Sequence, residues 1–168
     1  MALFEPLFDA LNRRDVRYVI VGGVAVVLHG FARLTGDVDL ALDLHPAEAR
    51  KAVEALVGLG LRPRLPVDAF DFTDAATREA WVRDKGMRVF TFVDPKDPLL
   101  LVDCFAEDVV PFDDLWRRAI VMPLATTSVR VAAIADLIAL KRQAGRPQDL
   151  QDIDALEAIQ RRRGDGDG

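Results

Sequence analysis

Cysteine, histidine and long apolar runs are scarce in this sequence, and each scarcity excludes a class of protein. The single Cys104 among 168 residues excludes an internal disulfide and a zinc site built from several thiolates. The two histidines, His29 and His45, have no partner at a metal-binding spacing. The most apolar stretch, residues 18–32, is interrupted by glycines before it reaches spanning length, so we expect no membrane span.

Positive charge is also in short supply. The formal net charge of -5 and the pI near 5.0 argue against a broadly basic protein that coats nucleic acid, although a local basic site stays open. No charged segment followed by an apolar signal region is present, so we expect the cytoplasm. With 51% hydrophobic residues, the chain predicts one domain over residues 1–163 and a disordered Gly-Asp tail over 164–168.

The spacing of apolar residues predicts an α/β (α+β) domain, with a short mixed sheet and helices mainly on one face. The predicted helices cover residues 3–12, 24–28, 46–59, 75–85, 112–119 and 133–144, with a last helix from about 147. The predicted strands cover residues 18–21, 37–44, 87–93 and 99–105, followed by short extended pieces at 120–124 and 128–131. Residues 63–74 are predicted to form a loop.

Two aspartates, Asp37 and Asp39, alternate with Val38 and Leu40. In a strand this alternation puts both carboxylates on one face, about 6 to 7 Å apart, where they repel each other unless a cation or a proton lies between them. The pair therefore indicates a divalent metal. The alternative is a pair of strand-end acids facing solvent.

Asp103 strengthens the metal interpretation, because it lies within the apolar run of residues 99–105. A buried carboxylate is costly without a hydrogen-bonded partner or a metal. A third carboxylate from a neighbouring strand would complete an oxygen-ligand site for magnesium or manganese. Two such ions would activate an attacking hydroxyl and neutralise a triphosphate, which is the chemistry of nucleotidyl transfer.

Gly22-Gly23 and Lys141 are the candidate anion contacts. Glycines between a predicted strand and a predicted helix let backbone amides approach a phosphate, whereas the alternative is a tight turn that needs positive φ. Lys141 lies on the inward stripe of its predicted helix and calls for an anion; alternatively, its stem covers apolar surface while its head reaches water. Asp149 and Asp152 fit a helix start, where acids complement the dipole. Arg146 either pairs with one of them or faces the cleft.

These motifs resemble the polymerase-β-type nucleotidyltransferase superfamily. The resemblance is carried by Gly22-Gly23, the following thirteen residues and the apolar-flanked pair Asp37 and Asp39, with a third acid at Asp103. Residues 18–44, together with 136–141 and 145–152, are similar to minimal bacterial nucleotidyltransferases, closest to the abortive-infection, toxin-like group.

The resemblance implies roles for seven residues. Asp37, Asp39 and Asp103 would be catalytic and would hold Mg²⁺ or Mn²⁺, Gly22 and Gly23 would receive the triphosphate of an NTP, and Arg33 and Lys141 would contact phosphates. Many active members have Gly-Ser where this chain has Gly22-Gly23, so a hydroxyl that helps to hold the phosphates is absent.

The resemblance also implies the reaction, which is transfer of an NMP from an NTP to a hydroxyl. The toxin-like group suggests an RNA acceptor such as a tRNA end, and an antitoxin-like protein partner. A small antibiotic-like alcohol or a protein hydroxyl is the alternative acceptor. A catalytically silent nucleotide-binding or interaction module is the alternative to an enzyme.

Overall fold

The computed structural model describes residues 2–97 and 99–164, and a mixed sheet organises them. Within these residues the sheet has seven strands, in the order β3-β4-β5-β2-β1-β7-β6. The strands are β1 Tyr18–Val21, β2 Asp37–Leu42, β3 Arg62–Pro63, β4 Val89–Val93, β5 Leu101–Phe105, β6 Ile120–Pro123 and β7 Ser128–Val131. The β2–β5 and β1–β7 pairs are parallel and the other pairs are antiparallel, which confirms the predicted mixed sheet.

Helices connect most of these strands. They are α1 Glu5–Arg13, α2 Gly22–Leu28, α3 Pro46–Gly58, α4 Ala75–Lys85, α5 Phe112–Arg118, α6 Ile134–Ala144 and α7 Pro147–Gly164, with short 3-10 turns at Ala2–Phe4 and Ala69–Thr73. Among the residues that the structure describes, no helix combines the length and the apolar character needed to cross a membrane.

The two faces of the sheet differ in burial. On β5, Val102 and Cys104 are buried, whereas Leu101, Asp103 and Phe105 are partly exposed. The buried face packs on helices and carries an aromatic cluster in which Phe90 lies 5.0 Å from Trp81 of α4 and 5.4 Å from Phe72, measured between ring centroids. One face is therefore core, and the other is free to carry polar groups.

Strand register brings the candidate acids to one level of the sheet. Asp39 is paired with Val21 of β1 on one side and with Asp103 of β5 on the other, and Asp103 is paired in turn with Thr91 of β4. Since residues paired across a sheet point to the same face, Asp39, Asp103 and Thr91 form a row on the partly exposed face. Asp37 lies on the same face, two residues before Asp39.

Three regions differ from the sequence prediction. β2 ends at Leu42, two residues before the predicted end. Asp43, which a longer strand would have placed on the face of Asp37 and Asp39, is instead buried and accepts hydrogen bonds from Arg17 at 2.5 Å and His45 at 2.6 Å. Residues 63–74, predicted as a loop, include regular structure: Pro63 pairs with β4, and the Asp68 side chain caps the 3-10 turn Ala69–Thr73. Gly164 ends α7, and the rest of the predicted tail, 165–168, lies outside the described residues.

Candidate active site

Asp39 and Asp103 face each other on adjacent parallel strands. Both side chains are partly buried, whereas Asp37 is exposed. The Asp103 Oδ1 atom is buried and has no hydrogen-bond partner. A buried acceptor without a donor is unfavourable, so this arrangement calls for a proton or a cation between the carboxylates.

The electrostatics of the pair follow from burial and like charge. Burial, together with the charges of Asp103 and Asp37, raises the pKa of Asp39 from 3.8 to about 6. Burial also raises the pKa of Asp103, and the Asp37 charge adds to that rise, while the facing Thr91 hydroxyl opposes it. Removing a carboxylate from water and placing another beside it both disfavour the charged form.

The donor set fits a hard divalent cation. Carboxylate oxygens are the ligands that Mg²⁺ and Mn²⁺ prefer, and Asp103 Oδ1 is buried without a partner at the centre of the group. Among the residues described, no three His, Cys, Asp or Glu side chains are arranged to hold a metal ion. A metal bound by all three acids would therefore require the side chains of Asp37, Asp39 and Asp103 to move closer together.

Gly22 and Gly23 join β1 directly to α2, and Asp39 lies against this turn. Gly22 has φ +62°, a left-handed conformation that side chains rarely adopt, and a Cβ there would lie 1.8 Å from Asp39 Oδ2. A Cβ on Gly23 would lie 2.5 Å from Thr35 Oγ1. Gly22 is therefore required by its backbone conformation and by Asp39, which satisfies the tight-turn interpretation, whereas Gly23 is confined by the Thr35 side chain. Both glycines leave the backbone open to a close approach.

The Lys141 ammonium group pairs with two carboxylates of the same chain. Its Nζ atom donates to Asp149 Oδ1 at 3.2 Å and to Asp152 Oδ2 at 2.6 Å. Lys141 is only 5% exposed and both aspartates 1%, so the alternative of a lysine head in water is wrong. These contacts tie α6 to α7.

Two arginines extend this group. Arg33 donates to Asp152 Oδ2, and Arg146 donates to Asp149 Oδ2 at 3.0 Å through its side chain and at 3.1 Å through its backbone N–H. Asp149 therefore does serve the start of α7, as the sequence suggested, but it also holds Lys141. We call Arg33, Lys141, Arg146, Asp149 and Asp152 the ion cluster. Its three cations and two carboxylates leave one positive charge.

A cavity of about 340 Å³ connects the acids to the ion cluster. Gly22, Asp39 and Asp103 line one side, and Lys141 and Arg146 line the other. Most of the remaining lining is apolar, contributed by Val21, Val89, Phe105, Val109, Leu137 and Leu140. The cavity can therefore hold a molecule with an anionic part and an apolar part beside the paired carboxylates.

Of the sequence candidates, Gly22, Asp39, Asp103 and Lys141 line this cavity, whereas Asp37, Gly23 and Arg33 are not among its lining residues. Their roles as catalytic, metal and nucleotide contacts stay predictions, and Arg33 and Lys141, proposed for phosphates, are already paired with Asp152. Sequence reasoning missed Thr91, Thr35 and the pairing of Asp152. The spacing of Asp149 and Asp152, one helical turn apart opposite an inward Lys141, was the signal for that pairing.

Most of the chain matches the model of a known protein family. Residues 1–162 match the model of the family described as nucleotidyltransferase of unknown function (DUF6036). No curated protein matches the sequence significantly.

Two solved structures of the antibiotic-resistance factor ANT(2'')-Ia have a similar fold. The crystal structure with adenylyl-2''-tobramycin has a TM-score of 0.58 at 15% identity, covering 95% of this chain and 91% of that one. The solution structure has a TM-score of 0.57 at 14% identity, covering 94% of this chain and 87% of that one. At these identities the likeness establishes the fold.

The raised pKa of Asp39 predicts that the stability of the folded protein depends on pH. Because it is raised from 3.8 to about 6, the metal-free folded protein binds more protons than the unfolded chain across that window, and stability falls as pH rises through it. We expect the free energy of unfolding of Asp39→Asn, relative to that of the wild type, to increase by about 1–3 kcal/mol as the pH is raised from 4 to 7.5. Denaturant unfolding in EDTA at each pH measures this gain. The exposed Asp71→Asn is the control, and a pH-independent difference for Asp39→Asn would contradict the assignment.

The ion cluster predicts a large effect at Asp152. Asp152→Asn removes the carboxylate that Lys141 and Arg33 share, which leaves Arg33 without that carboxylate and Lys141 with Asp149 alone. We expect a loss of about 3–5 kcal/mol in the free energy of unfolding. The matched control is Asp154→Asn, an exposed acid on the same helix. Equal stabilities of the two variants would show that the buried contacts carry no net energy.

Proposed function

This chain belongs to the nucleotidyltransferase family whose model spans its residues 1–162, and we propose that it transfers a nucleoside monophosphate from an NTP to a hydroxyl acceptor with a divalent metal. Asp37, Asp39 and Asp103 hold the metal in this proposal. Gly22 and Gly23 bind the triphosphate, and Arg33 and Lys141 are the cations that attract it.

One observation carries the proposal. Asp39 and Asp103 are paired on adjacent strands at the wall of a cavity, and Asp103 Oδ1 is buried there without a hydrogen-bond partner. A structural pair of acids would have a donor for every buried oxygen, whereas Asp103 Oδ1 has none and the paired carboxylates carry the charge to attract a cation. The neighbouring glycine turn has no Cβ between the acids and an incoming phosphate group.

The chemistry follows from these positions. The acceptor oxygen attacks the α-phosphorus, the bond from that phosphorus to the bridging α–β oxygen breaks, and pyrophosphate leaves. Asp103, on the far side of Asp39 from the glycine turn, accepts the acceptor's proton. Divalent metal, when bound, neutralises the triphosphate and favours ionisation of the attacking hydroxyl. The positive charge of the ion cluster offsets part of the charge on the leaving pyrophosphate.

The cavity lining favours an uncharged or anionic acceptor such as an RNA end. Among the described residues that line it, the carboxylates are Asp39 and Asp103, which the metal would engage, and Arg88 and Arg146 also line it. A polycationic aminoglycoside needs further carboxylates for its ammonium groups. An RNA end instead offers phosphates to the arginines and a base to the apolar wall.

The activity predicts a clear effect of one substitution. With Mg²⁺ and the preferred NTP, we expect Asp39→Asn to lower pyrophosphate release by about 10²-fold or more, because a neutral amide is a poor metal ligand. The measurement is coupled pyrophosphate detection, with thermal melting to verify the fold. Asp71→Asn serves as the control, since it keeps the net charge of the variant.

Two results would contradict this proposal. Unchanged pyrophosphate release in Asp39→Asn would reject the metal assignment. NTP binding by the wild type without pyrophosphate release, across a broad panel of acceptors, would identify a silent nucleotide-binding module instead.

The acceptor preference is testable with labelled NTPs. Incubated separately with total RNA, protein extract and tobramycin, the enzyme should transfer label to RNA, and transfer should fall with rising salt because phosphate contacts release counterions. Arg88→Gln should lower RNA labelling severalfold while NTP affinity is unchanged, since Arg88 lies on the Asp103 side of the cavity. Label in tobramycin, with none in RNA, would reverse the preference and favour the small-molecule alternative.

A further inference from the structure

The Thr35 side chain occupies the space in front of Gly23. Thr35 precedes β2 by two residues, and a Cβ built on Gly23 would lie 2.5 Å from its Oγ1 and 3.1 Å from its Cβ. The guanidinium carbon of Arg33 lies 3.4 Å from the same point. The place where a residue at position 23 would project its side chain is therefore already filled by a hydroxyl and bordered by a cation.

The Thr35 hydroxyl is available for a ligand. Its one hydrogen bond among the described residues runs to the Asp37 backbone oxygen at 3.4 Å, which is long for a hydroxyl donor. Thr35 is partly buried, and its Oγ1 lies beside the turn, where its proton has no strong acceptor among the described residues. Such a group can donate to an arriving phosphate oxygen without breaking a strong hydrogen bond within the protein.

We propose that Thr35 is a nucleotide-binding residue whose hydroxyl donates to a phosphate oxygen of the NTP at the Gly22-Gly23 turn. A serine at position 23 would extend its hydroxyl by one bond from the Cβ, toward the region that Thr35 Oγ1 occupies. In this chain the hydroxyl therefore comes from Thr35, just before β2, and glycine at position 23 leaves room for it. This inference rests on the proposed function, because it requires an NTP at the turn.

The first experiment removes and then preserves the hydroxyl. ATP, CTP, GTP and UTP are titrated separately in Mg²⁺, and the nucleotide that the wild type binds most tightly is carried forward. Thr35→Val keeps the shape and should weaken binding by about 10- to 100-fold, the usual range for a hydrogen bond to a charged group. Thr35→Ser keeps the hydroxyl and should stay within about threefold of the wild type. Matching thermal melting curves verify the fold of both variants.

The second experiment moves the hydroxyl across the turn. Gly23→Ser alone should bind poorly, because its Cβ meets Thr35 Oγ1 and Cβ. Thr35→Gly alone should bind poorly, because it lacks the hydroxyl. The double variant Gly23→Ser/Thr35→Gly relieves the contact and restores a hydroxyl, so it should bind at least about tenfold more tightly than Thr35→Gly. This comparison also tests the inference if Thr35→Val fails to fold.

The outcomes separate this inference from the proposed function. Binding by Thr35→Val within twofold of the wild type, or a double variant no better than Thr35→Gly, would overturn the role of Thr35 while leaving nucleotidyl transfer intact. Absence of binding of any NTP to the wild type would instead overturn the proposed function. Loss of affinity in Thr35→Val together with its recovery in the double variant would establish Thr35 as a phosphate contact.

Discussion

Repulsion between two neighbouring carboxylates is the constraint around which this molecule is arranged. Asp39 and Asp103 are held opposite each other by the pairing of β2 with β5, and an apolar face directly beneath them prevents the strands from separating. The cost is visible in the raised pKa of both groups. Proteins keep such locally unfavourable groups at sites of function, where a ligand offsets the cost.

The ion cluster balances that negative charge from across the cavity. Its members come from the segment before β2, from α6, from the α6–α7 connection and from α7. The contacts among them fix the last two helices against the strand that carries the acids. Lys141 and Arg33 share Asp152, which orients both cations without neutralising the whole group. A buried network of this kind specifies a unique arrangement more than it adds stability.

Local patterns in the sequence predicted most of the fold, and long-range pairing explains what they missed. The strand at 18–21 and the helix at 75–85 have the predicted bounds, because apolar periodicity, Gly22 and Gly86 mark their ends. β3 was missed because two residues are too short for a periodic signal. The acids were recognisable as candidates from alternation and from a charge in an apolar run. The register of Asp103 with Asp39, and the pairing of Arg33 with Asp152, depend on tertiary contacts that a single sequence does not encode locally.

The parallel pairing of β2 with β5 also has a consequence for the order of folding. The two strands are separated along the chain by α3, β3 and α4, together with β4, so Asp39 and Asp103 meet only through a contact of high sequence separation. Such contacts form slowly, because a long loop must close first. A nascent chain that has exposed Asp37 and Asp39 to solvent still lacks Asp103 and every member of the ion cluster except Arg33. The site is therefore completed late in biogenesis. A chain interrupted before β5 contains Asp37 and Asp39 but not the full set of residues that forms the site.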